Sequence, residues 1–250
     1  MTTKKNNICL TFDMDWAENS IIHEITEILI AKKIKSTWFI TNEIPSLAIM
    51  RKYPDLFELG IHPNFYPGST QGHSEEDILL NLKKMIPESV SVRSHGLYQN
   101  TRLFSKMVNL TGAKIDSSLC LPYVGNLDVH NFVFDSGPKG SILRAPFFWG
   151  DDIEMLSNNP DWEMKTTNLE KDGLKIFNFH PINLALNCKT YQDYNRFKNA
   201  CSSLGRANVN IEKKINRGIG VRTIFLKLLE KYQQQFMKLK ELIPSSMSEE

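Results

Sequence analysis

The chain has 250 residues, enough for one large α/β domain or two small ones. Thirty Lys and Arg against 28 Asp and Glu leave a net charge of +2, so the clustered basic face that nucleic acid needs is missing. No apolar run approaches a membrane span, and the basic N-terminus has no apolar stretch behind it. Cys9, Cys120, Cys188 and Cys201 are widely spaced with no C-x-x-C, and read as reduced thiols of a cytoplasmic protein.

The first predicted strand, Ile8-Cys9-Leu10, runs into Thr11-Phe12-Asp13-Met14-Asp15-Trp16. Asp13 and Asp15 are two apart, so on an extended chain both carboxylates point the same way. They repel each other unless a cation lies between, and a divalent metal with one Asp as ligand and the other as base is the usual solution. On this stretch alone, an acid pair capping the next helix explains the residues equally well.

Asn19 or Ser20 is placed to cap a first helix, in which Ile21, Ile25, Ile28 and Leu29 recur at helical spacing to about Lys33. His23, beside Glu24 and Glu27, belongs to its solvated face. Ser36 to Thr41 is a second strand, Pro45 opens a short helix to about Tyr53, and Phe57 to His62 is a third strand ending on a histidine. Residues 63–73 have loop composition. Ser74 then caps a helix with Asp77 as its partner and Ile78, Leu79, Leu82, Met85 and Ile86 on the apolar face.

Ser89 to Arg93 is a fourth strand leading into Ser94-His95-Gly96. A helix over about Asn100 to Leu110 and a short strand near Ile115-Asp116 follow. Residues 117–140 are expected as a long loop carrying a surface histidine, His130. Ser141 to Pro146 is a strand leading to Phe147-Phe148-Trp149-Gly150-Asp151-Asp152, 153–172 is loop and short helix, and Leu174 to Pro181 is a strand ending on His180. The remainder is expected to be helical, with one long helix from Val221 to Leu242 and a frayed tail from Ser245.

Strand alternates with helix throughout, which argues for a mostly parallel sheet, open or closed. Asp13, Asp15, His62, Arg93, His95, Asp151, Asp152 and His180 all fall at or just after the C-terminal end of a predicted strand, the active-site edge of such folds. Singly they are unremarkable, since His180 could be a core histidine and Arg93 an ion-pair partner. So many polar residues on one edge point to a site.

Together these residues resemble the polysaccharide deacetylases of the NodB type, carbohydrate esterase family 4. Thr11-Phe12-Asp13-Met14-Asp15 is similar to the first family motif, Thr-Phe-Asp-Asp, and Ile61-His62 to the start of the second, His-Ser/Thr-x-x-His. Arg93-Ser94-His95, Trp149-Gly150-Asp151-Asp152 and Phe177-Asn178-Phe179-His180 resemble the third, fourth and fifth. His-Pro-Asn-Phe, Arg-Ser-His-Gly-Leu and Phe-His-Pro-Ile-Asn-Leu resemble a branch associated with bacterial surface-polysaccharide biosynthesis. The resemblance covers about residues 7–190 and implies an irregular (β/α) barrel of about seven strands, with residues 1–250 forming a single domain.

It also implies roles. Asp13 is the base, tethered by Arg93. Asp15 and His62 are metal ligands. His180 is the general acid, oriented by Asp151 or Asp152. The metal is one divalent ion, expected to be zinc. The substrate is an N-acylated sugar or glycan precursor, with Trp16, His95 and Trp149 at its binding surface and Phe148 either beside them or in the core. One departure stands out: Tyr66 occupies the position of the family's second metal histidine. His73 is the favoured replacement ligand and His95 the alternative. Two other readings compete: hydrolysis of another C–N bond, such as that of a small cyclic amide, and an inactive glycan-binding relative that has lost its metal.

Overall fold

β1 (Ile8–Asp13) is buried along its whole length, as a central parallel strand covered on both faces must be. The structure is a computed structural model and describes residues 7–137, 140–165, 168–204 and 209–245. After β1 come α1 (Asn19–Lys32), β2 (Ser36–Ile40), α2 (Ser46–Met50), β3 (Phe57–Ile61), α3 (Glu75–Met85), β4 (Ser91–Val92), α4 (Thr101–Thr111) and β5 (Ile115–Asp116). The second half holds β6 (His130–Val133), β7 (Ser141–Arg144), β8 (Trp149–Gly150), α5 (Asp151–Leu156), β9 (Lys175–Phe179), α6 (Pro181–Leu186), α7 (Tyr191–Leu204), α8 (Val221–Tyr232) and β10 (Phe236–Met237). No helix among the described residues is long and apolar enough to cross a membrane.

The strand order is β6-β7-β5-β4-β3-β2-β1-β9-β8, with β10 beside β1, and among the described residues only the β6–β7 pair is antiparallel. The two ends of this order belong to one piece of chain. Between β7 and β8, Phe147 N–H donates to Leu119 O (2.8 Å) on one side and Phe148 N–H to Ile176 O (2.9 Å) on the other. The sheet therefore curls until its ends meet in the segment 141–150. Among the described residues, β1 to β5, this segment and β9 make seven positions around an irregular (β/α) barrel.

Alternation along the strands separates two environments. Phe12, Trp38 and Phe179 face outward, where Phe12 stacks on Trp38 (centroids 4.2 Å apart) and meets Phe225 of α8. Thr11 and Asp13 point the other way, into the barrel, where they meet Arg93 and Asn178. Ser74 caps α3 by accepting from Asp77 N–H (3.1 Å). The first helix departs from expectation: Glu18 holds its cap position with no capping hydrogen bond from its side chain, and Asn19 accepts instead from Ser46 N–H (2.9 Å), tying α1 to α2.

Two expected elements are different. The loop 117–140 contains β6, which pairs with β7 and places Phe132 against Phe104 (5.4 Å), while His130 stays exposed. The helix expected over 221–242 ends at Tyr232, and Phe236-Met237 runs parallel to Ile8-Cys9 instead. Tertiary bonds outweigh helical periodicity here: Lys238 Nζ donates to Pro54 O (2.8 Å), Leu239 N–H to Thr37 Oγ1 (2.9 Å) and Lys240 N–H to Glu58 Oε2 (2.9 Å). The expected frayed tail lies outside the described residues from 246 onward.

Candidate metal centre and acid–base pair

β1 ends at Asp13, and the chain turns so that Asp15 sits at φ 40°, in the left-handed region that Asp tolerates better than most residues. Thr41 Oγ1 holds the Asp15 carbonyl (2.8 Å). The two acids thus converge through a turn, not through extended spacing. Asp15 Oδ1 lies 3.2 Å from His62 Nε2 and 3.0 Å from His95 Nδ1. His62 follows β3 and is buried; His95 stands on a 3-10 turn after β4.

The tautomer of His62 follows from its other nitrogen. Nδ1 is 2.7 Å from the Arg93 carbonyl, which can only accept, so Nδ1 carries the proton. In the neutral ring Nε2 then presents a lone pair to a carboxylate. Two acceptors at this distance repel unless a second proton or a cation lies between them. A histidine fixed by a backbone carbonyl on its far nitrogen is also the usual arrangement of a metal ligand. The spacings of 3.2 and 3.0 Å are close to the edge, roughly 3.4 Å, of a tetrahedron with bonds of about 2.1 Å. Asp15, His62 and His95 therefore fit a divalent ion. Burial would raise the Asp15 carboxyl, but the imidazoles of His62 and His95 beside it hold it far below the usual range.

Asp13 lies beside this cluster. Its Oδ1 accepts from Arg93 Nη1 (3.0 Å) and its Oδ2 from Asn178 Nδ2 (2.8 Å). Arg93 is fully buried between the rings of Phe39 (4.4 Å) and Phe147 (4.8 Å). Its Nε and Nη2 donate to the Ser117 carbonyl (2.8 Å) and Ser117 Oγ (2.9 Å), and Nη1 also reaches Thr11 and Asn178. Burial would push Asp13 up, but Arg93, followed by His62 and His180, holds it below the ordinary carboxylate value.

His180 follows β9 and aims Nε2 at the same place, 3.5 Å from Asp15 Oδ2 and 3.8 Å from Asp13 Oδ2. Asp151, at the start of α5 and fully buried, grips it twice, accepting from the ring Nδ1 (2.6 Å) and from the His180 N–H (2.8 Å). Burial alone would lower His180, but Asp151 and then Asp152 raise it well above the ordinary histidine value. Asp152 is the neighbour, not the partner: burial pushes its carboxyl up, and Oδ1 has no hydrogen bond.

The structure thus brings together Asp13, Asp15, His62, Arg93, His95, Asp151 and His180, with Asp152 alongside. Two expected site residues lie outside this group. His73 stands exposed just before α3, and it is His95 whose ring nitrogen lies with Asp15 and His62. Trp149 is buried, donating to Glu154 Oε2 (3.1 Å) and packing on Trp162 and Phe179; Phe148 is likewise core. Trp16 does line the cleft, donating to Tyr194 OH (3.0 Å). Sequence reasoning passed over Asn178, Thr11 and Ser117. The available signal was a polar residue between Phe177 and Phe179 in an otherwise apolar strand.

A (β/α) barrel that gathers a carboxylate–imidazole cluster, an arginine-held aspartate and an aspartate-held histidine at its strand C-termini is of the polysaccharide-deacetylase class. The sequence agrees: the chain belongs to the WbmS-like polysaccharide deacetylase family, whose profile matches residues 10–198. It is similar to the solved structure of WbmS from Bordetella bronchiseptica, a protein provisionally assigned as a polysaccharide deacetylase involved in O-antigen biosynthesis. The two share 29% identity over 90% of each chain, with a TM-score of 0.74. More distant is a family 4 acetyl xylan esterase from Clostridium thermocellum solved with cobalt (17% identity, 95% of this chain and 90% of that one, TM-score 0.45). So is BA3943 from Bacillus anthracis, a family 4 pseudoenzyme (15%, 96% and 66%, 0.47). No curated protein matches the chain.

Proposed function

We propose that this protein is a metal-dependent N-deacetylase acting on an N-acylated sugar of surface-polysaccharide biosynthesis, the setting named for its relative WbmS. The observation that carries the reading is His62 Nε2 facing the Asp15 carboxylate with its other nitrogen already committed. Two nitrogens and one oxygen suit zinc, and three protein ligands leave a position open. When bound there, the ion activates water and polarises the acyl carbonyl.

The chain supplies the proton transfers. Asp13 keeps an unused lone pair on each oxygen after accepting from Arg93 and Asn178, and is the base that takes the proton of the attacking water. His180 holds one proton on Nδ1 against Asp151, so Nε2 is the atom that delivers a proton to the leaving nitrogen. The opposite shifts of these groups match opposite roles. The inactive alternative loses its main support, because His95 stands where the loss of a ligand at Tyr66 would otherwise be felt. A cytoplasmic location is part of this proposal and rests on the wide, unpatterned spacing of the four cysteines in the sequence.

The test is metal analysis of the purified protein with acetate release from N-acetylated glycans and, in parallel, ring opening of small cyclic amides. The reading expects one divalent ion per chain and acetate release that a chelator abolishes and zinc restores. A metal-free protein, or one that opens cyclic amides and leaves N-acetyl glycans intact, would refute it.

A further inference from the structure

The near-neutral chain conceals an uneven distribution of charge. Residues 187–222, which carry α7 and the turns on either side of it, hold eight Lys and Arg against two acids, Asp193 and Glu212, a net +6. The whole chain is +2, so the remainder is −4. The lack of a clustered basic face, expected from the net charge, holds for the chain as a whole and fails for this segment. Elsewhere Lys35, Arg51, Lys106 and Lys231 each meet a glutamate. Here Lys189, Arg196, Lys198, Lys213, Lys214 and Arg217 are all exposed, and among the described residues only Arg196 has an acid partner, Asp193 at 3.5 Å.

The segment is fastened beside the catalytic cleft. Asn187 Nδ2 donates to Asn216 O (2.9 Å) and Gly218 O (2.8 Å), and Asn216 Nδ2 donates back to Asn187 O (3.0 Å). These bonds hold Arg217 and the 3-10 turn Ile211–Lys214 against the end of α6. α7 is held by Trp16, which donates to Tyr194 and stacks on Phe197 (5.8 Å, 19°). Tyr191, Tyr194 and Lys198 of α7 line the same cavity as Asp15 and His180.

The kind of partner follows from how the charge is laid out. A lone phosphate draws its donors to one point, whereas these cations are spread over α7 and the turn beyond it. A soluble polyanion asks for charge alone, yet Leu204 and Ile219, 61% and 49% exposed, stand among them. Cations mixed with exposed apolar side chains match the surface of an anionic bilayer, where charges meet headgroups and apolar tips enter the acyl boundary. The cytoplasmic leaflet of a membrane carries that negative charge.

We propose that α7 and the turn over residues 211–219 dock on an anionic lipid surface and hold the cleft mouth at Lys198 beside the headgroups. The proposal does not depend on the deacetylase reading, because docking is measured without turnover. The metal-loaded protein is floated with vesicles of phosphatidylcholine alone and of phosphatidylcholine with phosphatidylglycerol, at low and at high salt. The expected result is binding to the anionic vesicles alone, lost at high salt as screening shortens the reach of the charges. Each Lys or Arg near such a surface strengthens partitioning roughly fivefold, so Lys213→Gln/Lys214→Gln/Arg217→Gln should weaken it on the order of 100-fold. Lys32→Gln/Lys52→Gln/Lys84→Gln removes the same charge from exposed positions elsewhere and should leave partitioning within about threefold. Equal binding to phosphatidylcholine, no binding to either vesicle, or equal weakening by the two triple variants overturns the proposal. So does heparin stripping the protein from vesicles of matched charge, which would give this face to a soluble polyanion. The salt series on the unaltered protein keeps the test open should a variant fail to fold.

Discussion

Replacing His95 by alanine removes one nitrogen from the cluster and leaves Asp15 and His62 where they are. The His95 side chain is 38% exposed on a turn, so the substitution opens no core cavity and its effect falls on the metal. Losing an outer partner of a metal ligand costs about 10–100-fold in affinity. Losing a ligand costs at least the upper end of that range, about 100-fold or ~2.7 kcal/mol. His73→Ala, at an exposed residue outside the cluster, should leave affinity within error. Both variants are measured by competition for zinc against a chromophoric chelator, with metal content after gel filtration as a second readout. If His73→Ala weakens zinc tenfold or more while His95→Ala does not, the three-ligand set drawn here is wrong.

Asp13 lies below its ordinary 3.8 and His180 above its ordinary 6.5, so the rate should rise as pH climbs through the lowered value and fall only past the raised one. Asp151→Asn should pull in the basic limb, and an NMR titration of His180 that is unmoved by this change would refute the pairing. His180→Ala should remove most turnover of amides and much less of an activated acetyl ester; equal damage to both would exclude it as the general acid. Asn178→Leu strands buried partners on Asp13, Arg93 and Thr11 and should cost about 1–3 kcal/mol in urea unfolding, with a loss below about 0.5 counting against the network. Trp149→Ala should cost about 3–5 kcal/mol of stability and leave KM alone; a raised KM at full folding would restore its substrate role.

Residues at strand ends were legible because a charged or imidazole side chain that closes an apolar run marks the mouth of a barrel: Asp13, His62, Arg93 and His180 all read this way. Asn178 did not, since its worth depends on Thr11, Asp13 and Arg93, at least 85 residues away in the chain. Trp149 misled because composition does not say which side of an extended segment faces the cleft, and here the aromatic faces the core. β10 was hidden by apolar spacing that continues the α8 pattern as far as Phe236; only the backbone and side-chain bonds to Thr37 and Glu58 decide against helix.

The third member of the Asp15–His62 cluster shows most clearly where sequence spacing stops informing. His62 and Arg93 are adjacent because Ile61 pairs with Val92 in the sheet, so the chain leaving β4 emerges beside the first histidine. His95 N–H donates to Pro63 O (2.9 Å), and Gly96 and Leu97, both at positive φ, turn the chain so that the His95 ring faces Asp15. The opposite holds for His73. Gln71 is clamped to the carbonyls of Thr41 and His62, which fixes the loop with His73 on its outer side. Tyr66 completes the exchange: its ring lies on Gly96, so near that a Cβ there would come within 2.7 Å of it, and stands perpendicular to the His95 ring (centroids 6.2 Å apart). A tyrosine at the expected ligand position thus packs against the turn that brings in the actual candidate, and both features depend on glycine at 96.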